Sequence, residues 1–234
     1  NLVHEEAQRL AAPHPVLGDL GCGTGGTLLY LAPRMDRPFA AVGVTLSPVQ
    51  AEQARRNLRP FPRCSALVGD FLRLPLPDDA LDLAFSIEAF IHAPEADTYL
   101  SEAARVLRPG GRLLLVDDFL NADRILTVPE HRLLAEYRSG WLASSLLPVA
   151  DVVSRAQAHG LRLLLRRDLT AHLKLRVLPG PLARGLLGLR RRLGINAAIA
   201  TSTAGSIALQ QALASGAILY QTLLFEREAT VANA

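Results

Sequence analysis

Val16-Leu-Gly-Asp-Leu-Gly-Cys-Gly-Thr-Gly25-Gly26 decides the fold. A strand-length apolar run, Val16 to Leu20, enters a glycine-rich turn, and a helical pattern follows to about Arg34. Glycines at such a turn let the backbone bend sharply and approach a ligand closely. Working outward, Phe39 to Thr45 reads as a second strand. Ser47-Pro48 then opens a helix to about Leu58, with Ser as N-cap and Pro at the first helical position. Ser65 to Val68, Leu81 to Ile87 and Leu113 to Asp117 read as strands three to five. A helix from Asp97 to Leu107 lies before the fifth, ended by Arg108-Pro109-Gly110-Gly111. Strands alternating with helices predict βαβ units, hence a parallel sheet with helices on both faces.

The glycine turn fits two ligands. Gly21, Gly23 and Gly26 match G-x-G-x-x-G, a dinucleotide pattern. Gly21, Gly23 and Gly25 match G-x-G-x-G, which suits S-adenosylmethionine. A dinucleotide site expects an acid about 20 positions on, at the end of strand two, to hold the ribose. Gly43-Val-Thr45 stands there instead. An acid does precede the turn, at Asp19. A carboxylate there attracts the ammonium of a methionine moiety and would repel a pyrophosphate.

Five segments in register resemble the class I S-adenosylmethionine-dependent methyltransferases, over about Val16 to Phe119. Val16 to Gly25 is similar to the cofactor-binding turn. Val42-Gly-Val-Thr-Leu-Ser-Pro-Val-Gln50 resembles the tocopherol, sterol and cyclopropane-lipid branch, where Thr-Leu-Ser…Gln replaces the ribose-binding acid. Gly69-Asp-Phe71 resembles the adenine turn. Ser86-Ile-Glu-Ala-Phe-Ile-His-Ala-Pro94 resembles the segment after strand four in sterol and tocopherol enzymes. Arg105 to Arg112 is similar to the turn before strand five.

The resemblance implies a Rossmann-like, mostly parallel seven-stranded sheet with a helical substrate-covering insertion after strand five. It implies S-adenosylmethionine as cofactor and S-adenosylhomocysteine as product. Asp19 and the backbone of Gly21, Cys22, Gly23 and Gly25 would hold the methionine end, with Cys22 reading more simply as loop filler. Thr45, Leu46 and Gln50 would hold the ribose and flank the adenine. Asp70 and Phe71 would meet the adenine ring. Leu46 and Phe71 also read as plain core residues, and Asp70 as a solvated turn residue.

The reacting group belongs at the carboxyl ends of the strands. Glu88 and His92 stand four apart just past strand four, so a helix there would project both from one face. A histidine suits a general base near neutrality. Glu88 would orient it, take a proton or stabilise a developing cation. Each also has a structural reading, as residues satisfied at a helix start. Asp117 and Asp118, ending strand five, rank behind them.

The chain reads as a single domain over 1–234. Residues 16–119 form the cofactor half, 120–215 a mainly helical cover and 216–226 the final strand. Leu161 to Arg166 and Ala217 to Phe225 are strand candidates, with a helical stretch from Pro181 to Ser215 between them, broken near Gly194. Tyr137 and Trp141, four apart on a helix, present both rings on one face, as core or as pocket lining. Ile195 to Phe225 carries no charge, more apolar surface than the sheet needs. That favours an apolar acceptor of prenyl, sterol or polyketide type, methylated at oxygen or carbon. An amine or phospholipid headgroup, or a non-catalytic binding module, is the alternative.

Composition bounds the rest. The 234 residues are half apolar, ruling out a disordered chain. Two cysteines make no disulfide scaffold, and no spacing reads as a zinc site. The net charge of +3 hides an uneven distribution. Leu161 to Gly194 holds nine basic residues against Asp168, net +8, leaving −5 elsewhere. A solvated face is the default, with weak contact to anionic membrane or a substrate phosphate as the sharper readings. No aromatic interleaving or known fold pattern supports nucleic acid. No signal peptide or spanning run is present, so a cytoplasmic site is expected. The sequence opens at Asn1 without Met and reads as trimmed, with a helix upstream of position 1 expected to help close the site.

Overall fold

The structure, a computed structural model, describes residues 2–177 and 197–229. One seven-stranded sheet organises them, in the order β3-β2-β1-β4-β5-β7-β6. Its strands are β1 (Val16–Leu20), β2 (Ala40–Thr45), β3 (Cys64–Val68), β4 (Leu81–Ile87), β5 (Leu107–Leu120), β6 (Leu161–Asp168) and β7 (Ile218–Arg227). The first five run parallel. β7 is antiparallel to both β5 and β6. This is the expected α/β, Rossmann-like sheet.

Both faces are covered, which is why β1, β4 and β5 read as nearly unbroken apolar runs. One face packs Leu17, Leu83, Phe85 and Leu114 against α1 (Leu2–Arg9), α2 (Gly26–Leu31) and α3 (Pro48–Leu58). The other packs Leu20, Ala84, Leu115 and Phe225 against α4 (Ala96–Val106) and α6 (Val149–Ala158). A third apolar cluster joins α5 (Val128–Trp141) to α7 (Ala197–Ser215) at the carboxyl ends of the strands. Within it the two helices cross at Gly140 and Gly205. A Cβ placed on Gly140 would lie 2.6 Å from the Gly205 Cα, so the two backbones touch.

Local rules account for most boundaries. The Ser47 hydroxyl accepts the Gln50 N–H at 3.3 Å, with Pro48 at the first helical position, as the sequence predicts. α2 stops at Leu31 rather than Arg34: Ala32 still has helical φ and ψ, but Pro33 has no N–H to continue the ladder. β5 is longer than Leu113 to Asp117. Leu81 pairs with Leu107 and Leu83 with Arg112, so the expected Arg108–Gly111 turn is a bulge inside the strand. Gly110 takes φ +77° there. At its other end β5 is extended by pairing Phe119 and Leu120 with Leu219 and Ile218 of β7. The expected helix from Pro181 is described only from Ala197, and the break near Gly194 lies outside the described residues.

Candidate active site

The glycine turn sits where β1 ends between β2 and β4. The Gly21 and Cys22 N–H groups both donate to the Val44 carbonyl, at 2.9 and 3.0 Å, stitching the turn to β2. Gly21, Gly23 and Gly25 all have positive φ, at +101°, +52° and +80°. Side chains are disfavoured in that conformation. At Gly21 a Cβ would also strike the Ala89 Cβ at 2.4 Å, whereas at Gly23 it would meet nothing within 4 Å. The backbone is therefore open at Gly23.

Asp19 leads into this turn and is 3% exposed. Its carboxylate has no hydrogen bond or ion pair among the described residues, and burial pushes it up to about 8. A buried carboxyl without a partner among the described residues, beside the open backbone of Gly23, fits a group that brings an ammonium. Cys22 instead packs against the sheet. A Cβ on Gly43 would lie 2.6 Å from its Sγ, and burial pushes the thiol up to about 12. Its side chain packs the loop.

The other nucleotide-side residues fall around the same strand ends. Thr45 is buried and donates its hydroxyl to Gln50 Oε1 at 2.9 Å. Leu46, just beyond, is 73% exposed, which rules out its core reading. Asp70 lies on an exposed turn after β3 and accepts the Leu72 N–H at 2.8 Å. Phe71 packs edge-on to Tyr99, centroids 5.3 Å apart.

A cavity of about 350 Å³ opens at the carboxyl ends of β4 and β5. It brings together Glu88, His92, Tyr137 and Trp141, four side chains predicted from sequence. The helical premise for Glu88 and His92 does not hold. Glu88 takes φ +53°, and only Phe90–His92 forms a single 3-10 turn. A non-glycine residue in that region costs about 1 kcal/mol or more, so its surroundings must hold it there. Its N–H donates to the Val116 carbonyl at 2.9 Å and its Oε1 accepts the Tyr220 hydroxyl at 3.1 Å.

β5 supplies the cavity with two more acids. Asp117, 1% exposed, accepts the N–H groups of Ile91 at 3.0 Å and Asp118 at 2.9 Å, and burial pushes it up to about 8. The first of those bonds ties the turn carrying His92 onto β5. Asp118 accepts the Tyr137 hydroxyl at 2.6 Å; burial raises it to about 6, with the phenol holding it down. The phenols of Tyr137 and Tyr220 are pushed up, by burial first and then by these carboxylates.

Leucines form the walls. Leu173 and Leu175 come from the segment after β6, Leu209 and Leu213 from α7. Trp141, on the wall with Tyr137, donates its indole N–H to Ser206 at 3.1 Å. Tyr220, Leu173, Lys174 and Leu209 carry no local motif. The expected helix to Ser215 and strand from Ala217 anticipated α7 and β7, but no feature of the sequence marked Tyr220 itself. Of the basic strip, Lys174 alone among the described residues lines the cavity. Arg162 pairs with Glu226 and Arg166 donates to Gln221. Arg184, Arg190, Arg191 and Arg192 lie outside the described residues.

Residues 18–115 match the family model described as a methyltransferase domain. A tocopherol O-methyltransferase of Arabidopsis thaliana is 31% identical over 153 residues, 62% of this chain and 43% of that protein. A 24-methylenesterol C-methyltransferase of Oryza sativa is 40% identical over 115 residues, 47% of this chain and 31% of the relative. Methyltransferase GfsG of Streptomyces halstedii is 40% identical over 111 residues, 46% and 39% respectively. The chain thus spans less than half the length of these relatives. Among solved structures, a geranyl diphosphate C-methyltransferase of Streptomyces coelicolor superposes with TM-score 0.74 at 19% identity, over 97% of this chain and 77% of that one. The [4+2]-cyclase SpnF superposes with TM-score 0.71 at 21% identity, over 97% and 80%. Taken with the glycine turn and the acid before it, residues 18–115 match a methyltransferase domain and resemble the class I S-adenosylmethionine-dependent methyltransferases.

Proposed function

We propose that this chain transfers a methyl group from S-adenosylmethionine to oxygen or carbon of a hydrophobic small molecule of prenyl, sterol or polyketide type. The observation that carries the cofactor reading is Asp19, a buried carboxylate without a partner among the described residues, next to the open backbone of Gly23. The cofactor supplies an electrophilic methyl group when bound. Asp19 would hold its ammonium, and the backbone of Gly21, Gly23 and Gly25 its methionine carboxylate end. Thr45, Leu46 and Gln50 would take the ribose and adenine flank, with Asp70 and Phe71 on the far side of the ring.

The acceptor reading rests on the leucine-walled cavity with Tyr137 and Trp141 on one side and acids at its base. Such a cavity would shield the acceptor from water and hold it for the methyl group. His92 would remove a proton from a hydroxyl acceptor. Glu88 would stabilise the positive charge left when an alkene or ring carbon is methylated. The relatives named for tocopherol and sterols support an acceptor with an apolar body. A cytoplasmic site of action is supported by two free, buried cysteines. No helix among the described residues is long and apolar enough to cross a membrane.

A second reading has its own observation. Glu88, Asp117 and Asp118 together make the base of the cavity acidic, which suits a cationic amine carrying an apolar group. A third, non-methylating role is consistent with the fold, since a [4+2]-cyclase shares it.

Calorimetric titration with S-adenosylhomocysteine tests the cofactor. Saturable binding that Gly23→Val abolishes is expected, and no binding to the unaltered protein sinks the reading. Methyl transfer is then assayed on prenylated phenols, sterols, polyketides and alkylamines. Turnover only on amines replaces the first acceptor class with the second.

A further inference from the structure

We propose that Tyr220, on the last strand of the sheet, is the positioning residue for Glu88. This rests on the reading of Glu88 as a group of the transfer site. Glu88 stands beyond the end of β4 in a backbone conformation that its own sequence does not favour. A carboxylate there is repelled by Asp118, which is mostly ionised at neutral pH, and would turn away unless something holds it. The Tyr220 hydroxyl donates to Oε1 at 3.1 Å, and Oε2 has no partner among the described residues. One oxygen is fixed, and the other is free to act.

Tyr220 is itself well placed to do this. Its N–H donates to Thr170 Oγ1 at 2.9 Å and its carbonyl accepts the Leu169 N–H at 2.8 Å. The 3-10 turn Thr170–His172 after β6 thus grips it from one side, and pairing with Asp118 on β5 fixes it from the other. The groups facing this pair are Asp117 and Asp118 from β5, His92 from the turn after β4, Tyr137 from α5 and Lys174 from the segment after β6. Asp118 is already occupied by Tyr137 and Asp117 by two backbone amides. Among the described residues, Tyr220 is the side chain that donates to Glu88.

Tyr220→Phe keeps the ring and its packing and deletes only the donor. In thermal melts without ligand, Tyr220→Phe is expected to shift the melting temperature of the wild type and to have no effect in a Glu88→Ala background. Equal shifts in both backgrounds, or none in the wild type, overturn the proposal. On an acceptor that turns over, Tyr220→Phe is expected to lower kcat about tenfold with the KM for S-adenosylmethionine unchanged. A further loss on top of Glu88→Gln, or an unchanged kcat, also overturns it. Failure of S-adenosylhomocysteine to bind condemns the cofactor reading, and the melting experiment still decides the Tyr220–Glu88 pair.

Discussion

Asp19 and Asp117 are two acids with the same burial and different surroundings. Asp117 accepts two backbone N–H bonds, so its carboxyl is a structural pin between β5 and the turn bearing His92. Asp19 accepts none among the described residues, so its desolvation is uncompensated until a cation arrives. Because the free group sits at about 8, it is mostly protonated at pH 6, and an ammonium must displace that proton. Affinity for S-adenosylhomocysteine is therefore expected to rise between pH 6 and 8, by at most about tenfold per unit. Titration in buffers of different ionisation enthalpy should detect proton release at pH 7. Asp19→Ala is expected to lose both the binding and the release. A flat affinity across this range argues against Asp19 as the ammonium ligand.

His92 is reached by a different experiment at the same scale. It lines the cavity and, among the described residues, is held there through its backbone, whose N–H donates to the Ala89 carbonyl at 3.1 Å. His92→Ala should slow transfer to a hydroxyl acceptor by about a hundredfold or more while leaving S-adenosylhomocysteine affinity unchanged. Transfer to an alkene carbon should fall much less. Steady-state rates on one acceptor of each kind check this. Full activity on the hydroxyl acceptor removes His92 from the mechanism.

Among the elements, the crossing of α5 and α7 forms one side of the cavity. Glycine inside a helix costs about 0.5–1 kcal/mol relative to alanine, so from sequence Gly140 and Gly205 look like weak points. Their position explains them, because each faces the other's backbone and a Cβ on Gly205 would meet Trp141 Cδ1 at 2.7 Å. Gly205→Ala should force the helices apart and strain the Trp141–Ser206 bond. The expected cost is about 1–3 kcal/mol, measured by denaturant unfolding. S-adenosylhomocysteine affinity should be unaffected, since the cradle lies on β1 and β2. An unchanged or raised stability would mean the crossing has slack.

Element by element, legibility followed the range of the interaction. β1 to β4 could be read because burial on both faces writes an apolar run into the strand itself. The glycine turn could be read because positive φ demands glycine at Gly21, Gly23 and Gly25. The segment from Glu88 to His92 misled, since its left-handed residue is a glutamate held by Tyr220 from another strand. Tyr220, Leu173 and Lys174 carry no local mark of their role, which arises only when β7 and the segment after β6 are brought against β4 and β5.

For the whole molecule, the raised acids tie stability to pH. Asp19 and Asp117 fold with carboxyls at about 8 against an ordinary value of 3.8. A carboxyl raised on folding keeps its proton in the native state after the unfolded chain has lost it. Its stabilising effect is full below about 4 and declines as pH rises towards 8. The ligand-free melting temperature should therefore fall across that window. Asp19→Asn should flatten part of the fall, and saturating S-adenosylhomocysteine should oppose it at pH 8. A ligand-free melting temperature that climbs from pH 5 to 8 contradicts the assignment.

The position of β7 has a consequence for how the molecule is made. It lies between β5 and β6, although the chain makes β6 first. β5 and β6 therefore cannot join the finished sheet side by side. Until β7 arrives, β5 is an open sheet edge carrying Asp117 and Asp118, and β6 has no neighbour to pair with. Pairings this distant in sequence form slowly, and unpaired edges invite association between nascent chains. The strand that brings Tyr220 to the cavity is thus expected to pair late in folding, and refolding yield should fall more for substitutions in β7 than for ones in the glycine turn.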